Sequence, residues 1–137
     1  MTRIFLDTNV ILDLLAQRNP FYESIAKLTT LADQKKLILV TTPLSFTTVE
    51  CILKRSENTE IVIDKLRKFK IICEVCAVNE KIVEKGLNSN FKDFEDSIQY
   101  YSAVEANCSI FITRNGKDFK YSSIPIMTAE EYLRSHY

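Results

Sequence analysis

Apolar residues along this chain follow two alternating rhythms. Short runs at Arg3 to Leu6, Leu37 to Thr41, Ile71 to Val75, Ser109 to Thr113 and Ile124 to Met127 have the length and β-rich character of buried strands. Between them, apolar positions recur three and four residues apart, as in Val10, Ile11, Leu14 and Leu15, or Ile25, Leu28, Leu31 and Ala32, or Ile61, Leu66 and Phe69. This spacing predicts helices after Asn9, over Phe21 to Gln34, from Pro43 to about Arg55, over residues 59 to 69, from Asn79 to about Asn88, from Asp93 to Asn107, and after Thr128. Local signals mark several starts. Asn19-Pro20 and Thr42-Pro43 each read as a cap followed by a proline at the first helical position, and Thr128 with Glu131 forms a Thr-x-x-Glu capping box. No strand run shows clean in-out alternation, so both faces of the sheet are expected to be covered. The expected fold class is α/β, with a central, largely parallel sheet flanked by helices on both faces in one domain over residues 1–137.

Composition narrows the function. With 137 residues, 46% hydrophobic and 26% charged, the chain has the make-up of a globular domain. No apolar run exceeds four residues, and Asp7 interrupts the stretch a secretory signal would need, so a cytoplasmic protein is expected. Eighteen basic and eighteen acidic residues cancel, so any nucleic-acid contact must come from local patches. Only two glycines occur, Gly86 and Gly116, which excludes Gly-rich phosphate loops of nucleotide or dinucleotide type. His136, the single histidine, lies beside the chain end and supports neither a Ser-His-Asp triad nor a histidine zinc site. Cys73 and Cys76 have C-x-x-C spacing but fall in a strand region, and with Cys51 and Cys108 they read as reduced structural thiols. The basic run Lys65 to Lys70 reads as a solvated helix face.

In open parallel sheets, ligands gather beyond the carboxyl ends of the strands, so acids just after strands carry the chemistry. Asp7 follows the first strand directly. Glu50 shares a helix face with Phe46, Val49 and Leu53, where a carboxylate is costly unless it is paired with Arg3 or Lys54 or bound to a metal. Asp93, Glu95 and Asp96 open a helix, a placement the helix dipole alone would favour. Arg114, Asn115 and Asp118 follow the strand ending at Thr113. Oxygen ligands without histidine or cysteine favour Mg²⁺ or Mn²⁺ over zinc, and such ions suit phosphodiester hydrolysis.

The segments Asp7-Thr8-Asn9-Val10-Ile11-Leu12-Asp13, Glu50, Asp93-Phe94-Glu95-Asp96, Thr113-Arg114-Asn115 and Asp118-Phe119, in this order, resemble a PIN-domain ribonuclease over nearly the whole chain. The resemblance implies a metal-dependent endoribonuclease with an Mg²⁺ or Mn²⁺ site formed by Asp7, Glu50 and Asp96, and with Asp93 as a further ligand candidate. Asp118 would supply a fourth acid where many members carry one at the position of Asn115. Asn9, Thr113 and Asn115 would contact water, phosphate or the ligand carboxylates. Many small members are toxins of type II toxin–antitoxin pairs, so a small antitoxin partner and a homodimer are also implied. The alternative is a PIN-like or receiver-like binding module that has lost turnover, which Asn115 in place of an acid keeps open. A haloacid-dehalogenase-like phosphatase would need an acid at Asn9.

Overall fold

The computed structural model describes Met1–Tyr137 in full. Five strands, β1 (Arg3–Leu6), β2 (Ile38–Thr41), β3 (Cys73–Val75), β4 (Ile110–Ile112) and β5 (Ile126–Met127), form one sheet in the order β3-β2-β1-β4-β5. Every pairing is parallel, with Phe5 opposite both Val40 and Phe111. The helices are α1 (Thr8–Leu15), α2 (Tyr22–Asp33), α3 (Pro43–Leu53), α4 (Thr59–Ile72), α5 (Glu80–Leu87), α6 (Phe94–Glu105) and α7 (Ala129–His136), with a 3₁₀ turn over Gly116–Phe119. None is long and apolar enough to cross a membrane.

Strand side chains point alternately to opposite faces, and this divides the core. On one face Ile4, Leu6, Leu39, Ile110 and Ile112 pack with apolar residues of α1, α2, α3, α4 and α7. On the other, Phe5, Val40 and Phe111 meet Tyr100 and Ala103 of α6 and Phe119 of the 3₁₀ turn. The Phe5 and Phe111 rings stack at 5.0 Å, and Phe111 lies 4.5 Å from Phe119. Layered apolar faces on a parallel sheet are what the unalternated strand runs predict.

Several boundaries differ from the expected ones: β5 is only Ile126–Met127, and two others have a clear physical cause. The strand expected from Ile71 begins only at Cys73, because α4 continues through Ile72. Val62, Leu66, Phe69 and Cys73 prolong one buried stripe at helical spacing, and this leaves Ile71 on the solvent side, 81% exposed, despite its β propensity. Pro20 is not the first residue of α2. The Arg18 carbonyl accepts from the amides of both Phe21 and Tyr22, which holds Asn19 and Pro20 in a turn ahead of a helix capped at Phe21. The Thr42 cap, the Pro43 first position and the Thr128–Glu131 capping box all form as the sequence predicts.

Helix α6 is seated closely against α5 through Gly86. A Cβ at that position would lie 2.7 Å from Ser97 Oγ and 3.1 Å from Ile98 Cδ1. The Ser97 hydroxyl is held by its bond to the Phe94 carbonyl at 2.6 Å, so it cannot easily turn away. Gly86→Ala would gain about 1 kcal/mol of helix propensity but should lose more to overpacking, for a net destabilisation of about 1–2 kcal/mol. Denaturant titration of Gly86→Ala, and of Gly86→Ala with Ser97→Gly, checks this: the second change should restore part of the loss.

A carboxylate cleft where the sheet order reverses

From β1 the chain runs outward through β2 and β3, then returns to place β4 and β5 on the other side. The carboxyl ends of β1 and β4 therefore flank the reversal point, where an open parallel sheet leaves a crevice. Asp7, the first residue past β1, is fixed there by its backbone N–H, which donates to the Ile112 carbonyl at 3.0 Å. It occupies the cap position of α1, yet its side chain makes no capping bond. Instead Thr113 Oγ1 donates to Oδ2 at 2.7 Å, and Gln99 Nε2 donates to Oδ1 at 3.0 Å. Gln99, with 0% exposure, accepts through Oε1 from the Thr8 amide at 2.9 Å and from the Thr8 hydroxyl at 3.2 Å. Thr8 Oγ1 also lies 2.8 Å from Ser45 Oγ of α3. Burial pushes the Asp7 carboxyl up from its ordinary pKa, while the bonds from Thr113 and Gln99 pull it back down.

The cleft beyond Asp7 encloses about 1200 Å³ and is lined by five carboxylates, Asp7, Asp93, Glu95, Asp96 and Asp118. Asp93 caps α6, its Oδ1 accepting from the Asp96 amide at 3.1 Å. Glu95 Oε1 accepts from Thr48 Oγ1 at 2.9 Å, tying α6 to α3. Asp96 has no comparable partner. Burial, with the added repulsion of Asp7, Asp93, Asp118 and Glu95, raises its carboxyl to about 7. Asn9 and Asn115 also line the cleft, and the Asn115 amide donates to Thr113 Oγ1 at 3.1 Å. Thr113 itself is buried and reaches the carboxylate of Asp7 rather than the open cleft. No group of three or more acidic, cysteine or histidine side chains is close enough together to cage a metal ion.

Glu50 is the exception among the expected acids. Ser45, Thr48 and Ile52 are the α3 residues turned toward the acids, since Ser45 bonds Thr8 while Thr48 and Ile52 line the cleft. Val49 and Leu53 are buried in the core below. Glu50, one residue and about 100° on from Val49, falls outside the cleft and is not solvent-free, at 26% side-chain exposure, where it pairs with Lys54 at 3.5 Å. Its place in the apolar stripe is thus explained by an ion pair along the helix. Arg3, the other expected partner, pairs with Glu74.

Sequence reasoning did not single out Gln99. Its signal is a polar residue between Ile98 and Tyr100, three residues after Asp96 and so near it on the helix. Arg114, in the middle of Thr113-Arg114-Asn115, turns away from the acids. It forms a two-pronged bond to Asp13, 2.7 Å and 3.1 Å long, and stacks over Phe21 at 4.0 Å. Because the Asp13 side chain is only 2% exposed, removing its partner leaves a buried charge that Arg18, at 3.8 Å, compensates weakly. Arg114→Ala should therefore cost about 3 kcal/mol, or roughly 10 °C in a thermal melt, with the loop carrying Asn115 loosened.

In the basic run on α4, Lys65 bonds Glu57 and the Leu15 carbonyl and Lys68 pairs with Asp64, while Arg67 and Lys70 are exposed. All four cysteines are free thiols, and burial raises the pKa of Cys73, Cys76 and Cys108.

A sheet of this order with acids at its reversal point invites comparison with known proteins. The family model described as PIN domain matches residues 3–117. The chain belongs to the PIN domain family. This PIN domain is 27% identical over 135 residues to Ribonuclease VapC1 of Aquifex aeolicus (strain VF5), covering 95% of this chain and 92% of that protein. Its fold is similar to VapBC-1 of nontypeable Haemophilus influenzae, with a TM-score of 0.69, 18% identity, and coverage of 94% of this chain and 99% of that one. It is also similar to Mycobacterium tuberculosis VapC20, a sarcin-ricin loop cleaving toxin, with a TM-score of 0.67, 13% identity, and coverage of 86% and 94%.

Proposed function

We propose that this PIN domain is an Mg²⁺- or Mn²⁺-dependent endoribonuclease whose working acids are Asp7 and Asp96, assisted by Asp118 and Asp93. The observation that carries the reading is the convergence of carboxylates from the end of β1, the start of α6 and the turn after β4 on one cleft, none of them held in an ion pair. The donor set fits a hard cation. Mg²⁺ is commonly held by one or two carboxylates and keeps several waters, with substrate phosphate supplying further oxygens, so a closed cage of three protein ligands is not required. When bound, such an ion neutralises phosphate charge and makes water more acidic.

The chain's own residues divide the remaining work. Gln99 and Thr113 each donate to one oxygen of Asp7, which fixes the carboxylate plane and leaves its outer lone pairs free to bind a cation. Asp93 turns its cap bond inward and sets the first turn of α6, so Asp96 is presented at a defined position. Asp118 brings charge from the turn after β4, and Asn115 and Asn9 offer neutral hydrogen-bonding groups to phosphate or water. Glu50, which pairs with Lys54 and does not line the cleft, is left out of the proposed site.

The named function of the Aquifex aeolicus relative supports the RNA substrate. Similarity to VapBC assemblies supports a small antitoxin partner, and a homodimer is proposed with it. The test is cleavage of a mixed single-stranded RNA pool by purified protein with Mg²⁺, Mn²⁺ or EDTA. Cleavage that needs the divalent ion is expected. Metal-dependent RNA binding without cleavage would assign the protein to the binding-module class, and full activity in EDTA would refute the metal site.

A further inference from the structure

We infer that the flank of the cleft formed by Phe91, Tyr101 and Tyr121 with Lys92, Lys117 and Lys120 is a subsite for an unpaired nucleotide, its base stacked on Tyr121 and its phosphates facing the lysines. The inference rests on the ribonuclease reading and adds to it the form of RNA the cleft takes.

Three observations carry it. The cleft, at about 1200 Å³, is far larger than a hydrated ion needs and exceeds the roughly 300–1,000 Å³ of sites that hold drug-sized ligands. Lys92, Lys117 and Lys120 line it, and none of them forms an ion pair although five carboxylates share the same cleft. Their charge is thus free for phosphate. The aromatic residues form a built wall. Phe91 packs on Tyr100 at 5.5 Å, on Tyr101 at 6.2 Å and on Phe119 at 5.6 Å. The loop after Phe119 is tied back to the wall, since the Ser123 amide donates to Tyr100 Oη at 2.8 Å. This loop holds Tyr121 at the cleft, 71% exposed, with the Lys120 ammonium over one face of its ring, 5.2 Å from the centre, so that a base would stack on the opposite face. An open aromatic face beside cations is the usual platform for single-stranded nucleic acid, because every base has a stacking face whereas paired bases are already stacked on one another.

Binding is measured in EDTA, where no cleavage is expected, by fluorescence anisotropy with a short labelled oligouridylate and a duplex RNA of equal length. The wild type should prefer the single strand by about tenfold or more. Tyr121→Ala should weaken oligouridylate binding by about 5-fold to 100-fold, Tyr121→Phe should retain it, and Tyr121→Leu should behave like alanine. Because Tyr121 is mostly exposed, these variants should melt with the wild type. Lys117→Gln combined with Lys120→Gln should reduce the slope of log affinity against log salt by about 1.4. Unchanged affinity in Tyr121→Ala, or equal affinity for duplex RNA, overturns the subsite. If the wild type still cuts the RNA pool in that case, the subsite alone is wrong. If the wild type neither cuts nor binds RNA, the ribonuclease reading falls and the subsite with it.

Discussion

Asp7→Asn and Asp96→Asn should each lower RNA cleavage by about 100-fold or more, while Glu50→Gln should stay within about threefold of the unaltered protein. The two aspartates line the cleft, and each carries charge that a cation needs if it is to be held against the reacting phosphate. A 100-fold loss corresponds to about 2.7 kcal/mol of transition-state stabilisation, a modest share of what such an ion supplies. Glu50 faces Lys54 outside the cleft, so its neutralisation removes only a partly exposed i,i+4 ion pair worth a few tenths of a kcal/mol. Gln99→Leu should fall between these, with a loss of about 10-fold to 100-fold, because it removes the bond that orients Asp7 without touching substrate. Asp118→Asn should cost more than Asn115→Ala if charge is what the turn after β4 contributes. Initial rates on labelled single-stranded RNA at saturating Mn²⁺ rank all six. A Glu50→Gln variant as poor as the aspartate variants would return Glu50 to the site. An active Asp96→Asn would remove Asp96 from it.

The second large effect is on stability. In EDTA, the wild type should lose stability as pH rises from about 4 to 8. Asp96 binds its proton with a pKa of about 7 in the folded protein against an ordinary 3.8, so the folded state holds the proton that the unfolded chain has released. The associated stability is fully present below 3.8 and is lost as pH climbs through about 7. Asp96 is only half buried, and screening reduces the loss to on the order of 1–2 kcal/mol, a shift of a few degrees. Mn²⁺ should reverse this. At about 100 times its dissociation constant, a cation that binds only the folded state adds about 2.7 kcal/mol, or roughly 5 to 10 °C. Asp96→Asn should melt above the wild type in EDTA at pH 8 and gain little from Mn²⁺, since one change removes both the repulsion and the ligand. A helix-capping Asp96 would give the opposite: a lower melt and an undiminished response to Mn²⁺. Capping is already performed by Asp93, whose Oδ1 holds the Asp96 amide. Thermal melts of the two proteins across this pH range, with and without Mn²⁺, separate the outcomes.

What could be read from the chain alone was whatever is decided within a few residues. The Thr42-Pro43 and Thr128–Glu131 starts, the apolar strand runs and the alternation that makes a parallel sheet are local, and each formed. So was the position of Asp7, because a residue directly after a strand that leads into a helix must lie at the carboxyl edge. The α4–β3 boundary was not local: Ile71 and Ile72 favour a strand, but the buried stripe of α4 decided the matter by continuing to Cys73. The rotation of α3 was not local either. Glu50 and Thr48 are two residues apart on one helix, and only the seating of Val49 and Leu53 in the core determines that Thr48 faces the acids while Glu50 faces Lys54. Gln99 and Asp7 are separated by 92 positions, and Arg114 and Asp13 by 101. Which polar groups meet across such distances depends on how each helix is turned and how far it slides on the sheet. Those two quantities are set by the packing of the whole core, and no short window of sequence contains them.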